Sequence, residues 1–230
     1  MPVRAIVFVL TVFVILGLCV PAHAHNVSKR DASFVEANHG TAIAVFLYLG
    51  AKHMVTGYDH LAFLVGVIFF LYRLKDIVQY VSLFTLGHSI TLLAGVLGGI
   101  HANTYAVDAI IGLSVVYKAF DNMDGFRRVF GFQPNAKLAV LGFGLFHGFG
   151  LATKLQSLEL SKDGLVTNIL SFNVGVEIGQ VLALTAVLIA LSVWRTRDGY
   201  LRHAFATNTA LMTAGFILTG YQVAGYLVVA

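Results

Sequence analysis

The chain has 230 residues, of which 58% are hydrophobic and only 11% charged, and its mean hydropathy is +0.82. A soluble domain carries about 25% charged residues, so this sequence lacks the polar surface to wrap a water-soluble core. The formal net charge of +4 is spread thinly along apolar sequence, which points to membrane topology and away from nucleic-acid binding.

The N-terminus reads as a targeting segment, residues 1–24. Arg4 precedes an apolar run over residues 5–20, Pro21 breaks it, and Ala22-His23-Ala24 supplies a small-residue cleavage site. Cleavage would leave His25 at the mature N-terminus; an uncleaved signal anchor is the alternative. Cys19 is the only cysteine. A cleaved protein would then hold no disulfide and no thiolate metal site, so any metal must use nitrogen and oxygen ligands. The signal implies a bacterial inner membrane.

Residues 25–52 form an outer segment that ends in a short apolar stretch, too short to cross a bilayer and read as an interfacial or re-entrant helix. From residue 53 to 230 the sequence predicts an all-α polytopic bundle. About six spans of roughly 20 residues each fit, near 53–72, 77–97, 104–120, 138–156, 165–194 and 203–229. Both termini would face outward. On the predicted cytoplasmic side lie nine basic residues (Arg73, Lys75, Lys118, Arg127, Arg128, Lys137, Arg195, Arg197 and Arg202). The outer side has five: Lys29, Arg30, Lys52, Lys154 and Lys162. That imbalance follows the positive-inside rule.

Ionisable groups within spans are costly and mark function by default. The first span carries His53, Asp59 and His60; the second Thr85, His88 and Ser89; the fourth His147; the fifth Asn173, Glu177 and Gln180. At a rise of about 1.5 Å per residue, Asp59, His60, His88, His147 and Glu177 fall about 10–15 Å beneath the outer face. Four helices thus place costly side chains in one layer, as a converging site would. His53 and His60 are seven residues apart and share a helix face; His53 could also sit wet at the interface. Asp59 could orient His60 or bind a cation directly. Asn173, Glu177 and Gln180 make a polar stripe on one helix. Glycines beside His147 and Glu177 would let neighbouring helices approach. Phe84-x-Leu-x-His88 and Phe143-x-Leu-x-His147 place two histidines alike on outward-running helices.

Imidazole and carboxylate donors suit nickel, zinc, iron and copper(II), whereas calcium and magnesium prefer all-oxygen sites. His53, Asp59, His60, His88, His147 and Glu177 are therefore the candidate metal residues. Thr85, Ser89, Asn173 and Gln180 are supporting or pathway groups, as is Asp108, which could instead cap its helix. His25, with its α-amine if N-terminal, and His39 could capture metal on the outer side.

These motifs, His53-x-x-x-Gly57-x-Asp59-His60, Phe84-Thr-x-x-His88-Ser-x-Thr91, Phe143-Gly-x-x-His147-Gly-Phe-Gly and Phe172-Asn-x-Gly-x-Glu177-x-Gly-Gln180, come in an order that resembles the HupE/UreJ family of hydrogenase and urease accessory membrane proteins. The resemblance covers residues 53–194 and implies a small polytopic nickel permease or metal-supply protein. It further implies that the six metal residues above line the pathway. The first motif departs from the family at Tyr58 and Ala62-Phe63, where the family varies, and no histidine-rich tail is present.

Three functions fit these residues. A permease would take a divalent ion, nickel favoured and copper or zinc possible, from the outer side. With no ATP-binding loop, such movement would be facilitated or ion-coupled, with Glu177 as the proton-coupling candidate. An intramembrane metal-dependent hydrolase would use a bound metal ion and its water, with Ser89 beside His88. An accessory subunit would supply metal to a membrane metalloenzyme or to a nickel- or copper-enzyme maturation system. The expected partners are the metal ion as substrate, the lipid bilayer and such a maturation system, with no nucleic acid.

Overall fold

The structure is a computed structural model that describes residues 40–156 and 163–229, all helical in their regular elements. The signal segment, His25 and His39 lie outside the described residues. In chain order the helices are α1 (Ile43–Thr56), α2 (Tyr58–Ile68), α3 (Leu74–Gly98), α4 (Thr104–Asn122), α5 (Gly125–Phe130), α6 (Ala136–Gln156), α7 (Leu165–Arg195) and α8 (Tyr200–Val229).

Four helices are long and apolar enough to cross a membrane: α3, α6, α7 and, over Tyr200–Val228, α8. Their outward surfaces carry exposed aliphatic residues such as Leu86, Val181, Leu182 and Ile189, as contact with lipid requires. The 19-residue α4 stands apart from these four. It carries Asp108, Lys118 and Asp121 and packs as an interior helix, with Asp108, Ser114 and Lys118 all buried.

The expected first span, 53–72, is two helices. The chain leaves α1 at Gly57, whose backbone is extended (φ −74°, ψ 95°), and restarts as α2. Their 14 and 11 residues span about 20 Å and 16 Å at 1.5 Å per residue, so neither crosses a bilayer alone. The apolar stretch expected to stop near residue 50 runs on through His53. Helices interrupted inside a protein interior can keep their freed backbone groups satisfied by neighbours. Here Arg195 Nη2 donates to the carbonyls of Ile68 (2.6 Å) and Phe69 (2.7 Å), and Tyr200 hydroxyl donates to Phe69 (2.5 Å). These bonds cap the last turn of α2 from α7 and α8.

Three helix pairs meet backbone to backbone at glycines. A Cβ on Gly50 of α1 would overlap the Phe172 carbonyl of α7, and one on Gly175 would overlap that of Leu47. In α3 and α6, a Cβ on Gly144 would overlap the Phe84 carbonyl, and one on Gly148 that of His88. In α4 and α8, a Cβ on Gly112 would sit 2.6 Å from Thr219 Oγ1. Small residues permit such close approach between membrane helices. The two pairs α1/α7 and α3/α6 flank α2, and the histidines lie in that space.

At one end of the bundle, Asn168 of α7 tethers the start of α1. Its Oδ1 accepts from Ala42 N, and its Nδ2 donates to Gly40 O, both at 2.8 Å. At the other end Asn122 Nδ2 donates to Gly66 O (2.8 Å) and to Asn208 Oδ1 (2.9 Å). The basic residues expected to face the cytoplasm flank this second end in the chain order of the helices.

Candidate metal centre

The break at Gly57 places two histidines edge to face. His53 ends α1 and His60 begins α2, with ring centroids 5.1 Å apart. A Cβ on Gly57 would stand 3.1 Å from His60 Nδ1, so a bare glycine leaves room for the imidazole.

His88 of α3 joins this group, and His147 of α6 packs beside His60. The His60 ring lies 5.9 Å from that of His88 and 4.6 Å from that of His147, centroid to centroid. His60 and His147 are fully buried and His88 is 1% exposed. One nitrogen from each of His53, His60 and His88 lies within 4.8 Å of the others. Imidazoles on one tetrahedral metal at about 2.1 Å would stand about 3.4 Å apart. From 4.8 Å to about 3.4 Å, the nitrogens need to close by up to about 1.4 Å, within reach of small side-chain rotations. Nitrogen donors in this number suit nickel, zinc or copper(II).

Hydrogen bonds set which nitrogen each ring offers. His60 Nδ1 lies 3.0 Å from Asp59 Oδ1. An ionised carboxylate only accepts, so Nδ1 carries the proton and Nε2 offers its lone pair. A carboxylate holding an imidazole in this way fixes the tautomer of a metal-binding histidine. For His147, Ser114 Oγ donates its one hydrogen to Ile111 O at 2.6 Å. The 3.1 Å contact between Ser114 Oγ and His147 Nε2 then requires the ring to donate, and Nδ1 becomes its lone-pair atom.

The remaining polar residues sort by position. Thr85 donates to Gln180 Oε1 at 2.9 Å. Ser89 and Asn173 exchange bonds at 3.1 and 2.8 Å. These two pairs join α3 to α7, one on either side of His88 in sequence. Glu177 is exposed on α7 and is not one of the converging ligand residues. Asp108 is buried in α4 and binds Lys154 of α6 through both oxygens, at 3.0 and 2.8 Å. It thus forms an ion pair between helices.

Ser114 and Lys154 are the participants that the reading of spans passed over. Ser114 stands in an apolar run, Gly112-Leu-Ser114-Val-Val, where one hydroxyl gives little signal. Lys154 counted only as an outer-side charge. Its opposite sign to Asp108, at a matching level on the next span, was the available clue.

Apolar helices around a buried cluster of nitrogen donors define a polytopic membrane protein with a candidate transition-metal centre. A family model described as HupE / UreJ protein matches residues 29–230, and the chain belongs to that family. No curated protein and no solved structure matches it.

Proposed function

We propose that the protein is a permease or supply factor for a divalent transition metal, with nickel the favoured cargo, in a bacterial inner membrane. The single observation that supports this most is the convergence of His53, His60 and His88 from three helices at ligand spacing. In this reading the ion arrives from the outer side and exchanges part of its water for these imidazoles. His147 lies beside His60 as a fourth donor, and Asp59 holds His60 ready. The neutral imidazoles replace water around a dication, and the Asp59 carboxylate offsets part of its charge in a medium that otherwise penalises it.

Three features favour movement over permanent retention. The site lies at a helix break, its donors belong to helices that can shift relative to one another, and two neutral polar pairs join α3 to α7. Glu177, exposed on α7 one turn from Asn173, serves in this reading as the proton-exchange group. Glu177→Gln is expected to keep metal binding while removing the pH dependence of uptake. Unchanged pH dependence would discard that role.

The decisive experiment is elemental analysis of the purified protein, followed by uptake of radioactive nickel into proteoliposomes. His60→Ala, His88→Ala and His53→Ala should each lose the stoichiometric metal held by wild type. Loss in only one variant would mean separate sites. Bound metal that never crosses the bilayer would favour the accessory or the hydrolase reading over transport.

A further inference from the structure

Three phenylalanines lie on one side of the histidines. Phe84 is four residues before His88 on α3, Phe143 is four before His147 on α6, and Phe63 is three after His60 on α2. α3 and α6 run away from the end of the bundle capped by Arg195 and Tyr200, while α2 runs toward it. All three rings are therefore displaced toward that end, by about 4.5–6 Å along the helix axes at 1.5 Å per residue.

Phe63 meets both of the other rings. Phe63 lies 5.3 Å from Phe84 and 5.8 Å from Phe143, centroid to centroid. They also touch the histidines from beneath: Phe63 is 5.5 Å and Phe84 5.0 Å from His147. Phe84 lies 6.2 Å from His60. Phe63 is fully buried and Phe84 is 1% exposed. On the far side Phe143 meets Tyr117 at 5.1 Å, and Tyr117 meets Phe126 of α5 at 4.8 Å.

We propose that Phe63, Phe84 and Phe143 form the inner barrier of the metal pathway, an apolar collar closed beneath the histidines, with Phe63 as its movable member. This rests on the transport reading above. Apolar constrictions stop ions by excluding water, because a hydrated ion cannot shed its shell without replacement ligands. The collar thus holds the cation at the imidazoles until it opens.

The assignment of the moving ring follows from packing. Phe84 and Phe143 sit on α3 and α6, which are locked where Gly144 meets the Phe84 carbonyl and Gly148 that of His88. Neither helix can shift against the other without parting those backbones. Phe63 sits on the 11-residue α2, which is separated from α1 at Gly57 and tied at its other end by Arg195, Tyr200 and Asn122, so its movement is a pivot about that tied end. His60 is on the same helix one turn away, so a tilt that withdraws Phe63 also removes His60 from the other imidazoles. Opening inward and weakening the site are then one motion.

The test is proton leakage in metal-free proteoliposomes of the full-length protein, read with a trapped pH dye, beside nickel binding and nickel uptake. Phe63→Ala and Phe143→Ala should dissipate a pH gradient at least fivefold faster than wild type while still binding nickel. Phe63→Leu and Phe143→Leu, which keep more volume, serve where the alanine variants fail to reconstitute, and should leak to a lesser degree. Phe63→Trp should slow uptake at least fivefold with binding retained. Variants that bind nickel and leak no more than wild type overturn the collar while wild-type uptake leaves the transport reading standing. A wild type that binds nickel yet takes none up overturns the transport reading, and the collar with it.

Discussion

Asp59 and Ser114 do related work on two different rings. Each fixes one nitrogen of a buried histidine as a donor and so decides which nitrogen is left for a cation. A carboxylate behind a metal-binding imidazole is typically worth about 10–100-fold in affinity. Asp59→Asn should weaken metal binding by about that factor with the helical content unchanged, as titration calorimetry with nickel would report. Ser114→Ala should have a smaller effect, since a neutral hydroxyl acceptor is weaker than a charged one. Equal losses for the two would mean that the tautomers are set by something other than these contacts. At this scale the sequence showed which residue types were present. Asp59 beside His60 was visible as a neighbour, with orientation and direct binding both open. The structure has its Oδ1 on His60 Nδ1. The pairing of Ser114 with His147 joins residues 33 apart, and nothing in the local pattern marks it.

Helix pairs are set by glycine, and the glycines differ in what they do. Gly175 meets the backbone of α1 at Leu47, and Gly148 meets that of α3 at His88, whereas Gly142 has nothing within 4 Å of an added Cβ. Gly175→Ala and Gly148→Ala should force backbones apart and destabilise by about 1–3 kcal/mol. Gly142→Ala should be neutral or stabilising by up to about 1 kcal/mol, because alanine favours helix. Thermal unfolding in detergent measures all three, and a destabilised Gly142→Ala would contradict this account of the packing. Gly142 lies near His147 in sequence, as Gly144, Gly148 and Gly150 do. Two residues from Gly144, it does not share the face that Gly144 and Gly148, four apart, present to α3, while Gly150 meets Ile111 and Val107 of α4. The break at Gly57 was also not legible. A glycine within an apolar run is compatible with a continuous span, and only the packing of α2 against its neighbours selects the bend.

Across the whole molecule, α3, α4, α6, α7 and α8 follow one another in alternating direction, and the charged connections gather at one end. The C-terminus is expected on the outer side. A reporter enzyme active only outside the cytoplasm, fused after Ala230, should be active, and one fused after Lys75 inactive. The reverse pattern would invert the bundle and place the histidines near the inner face. Arg195 contributes to the same architecture. It caps α2 through Ile68 and Phe69 and lies over the Tyr72 ring at 4.5 Å. A residue counted for topology is thus also a structural tie.

Composition determined the all-helical membrane character, because a chain so poor in charge has few ways to satisfy its backbone except helices in lipid. Local order determined the four motifs and with them the family, and helical rise placed the histidines in a common layer. The tertiary structure decided which of those polar residues face one another. It brought His53, His60, His88 and His147 together, engaged Asp108 with Lys154, and turned Glu177 outward. The physical reason is rotation. Rise along an axis follows from counting residues, but the direction a side chain points depends on the face by which its helix packs. In this protein that face is chosen by glycine contacts between residues more than fifty positions apart.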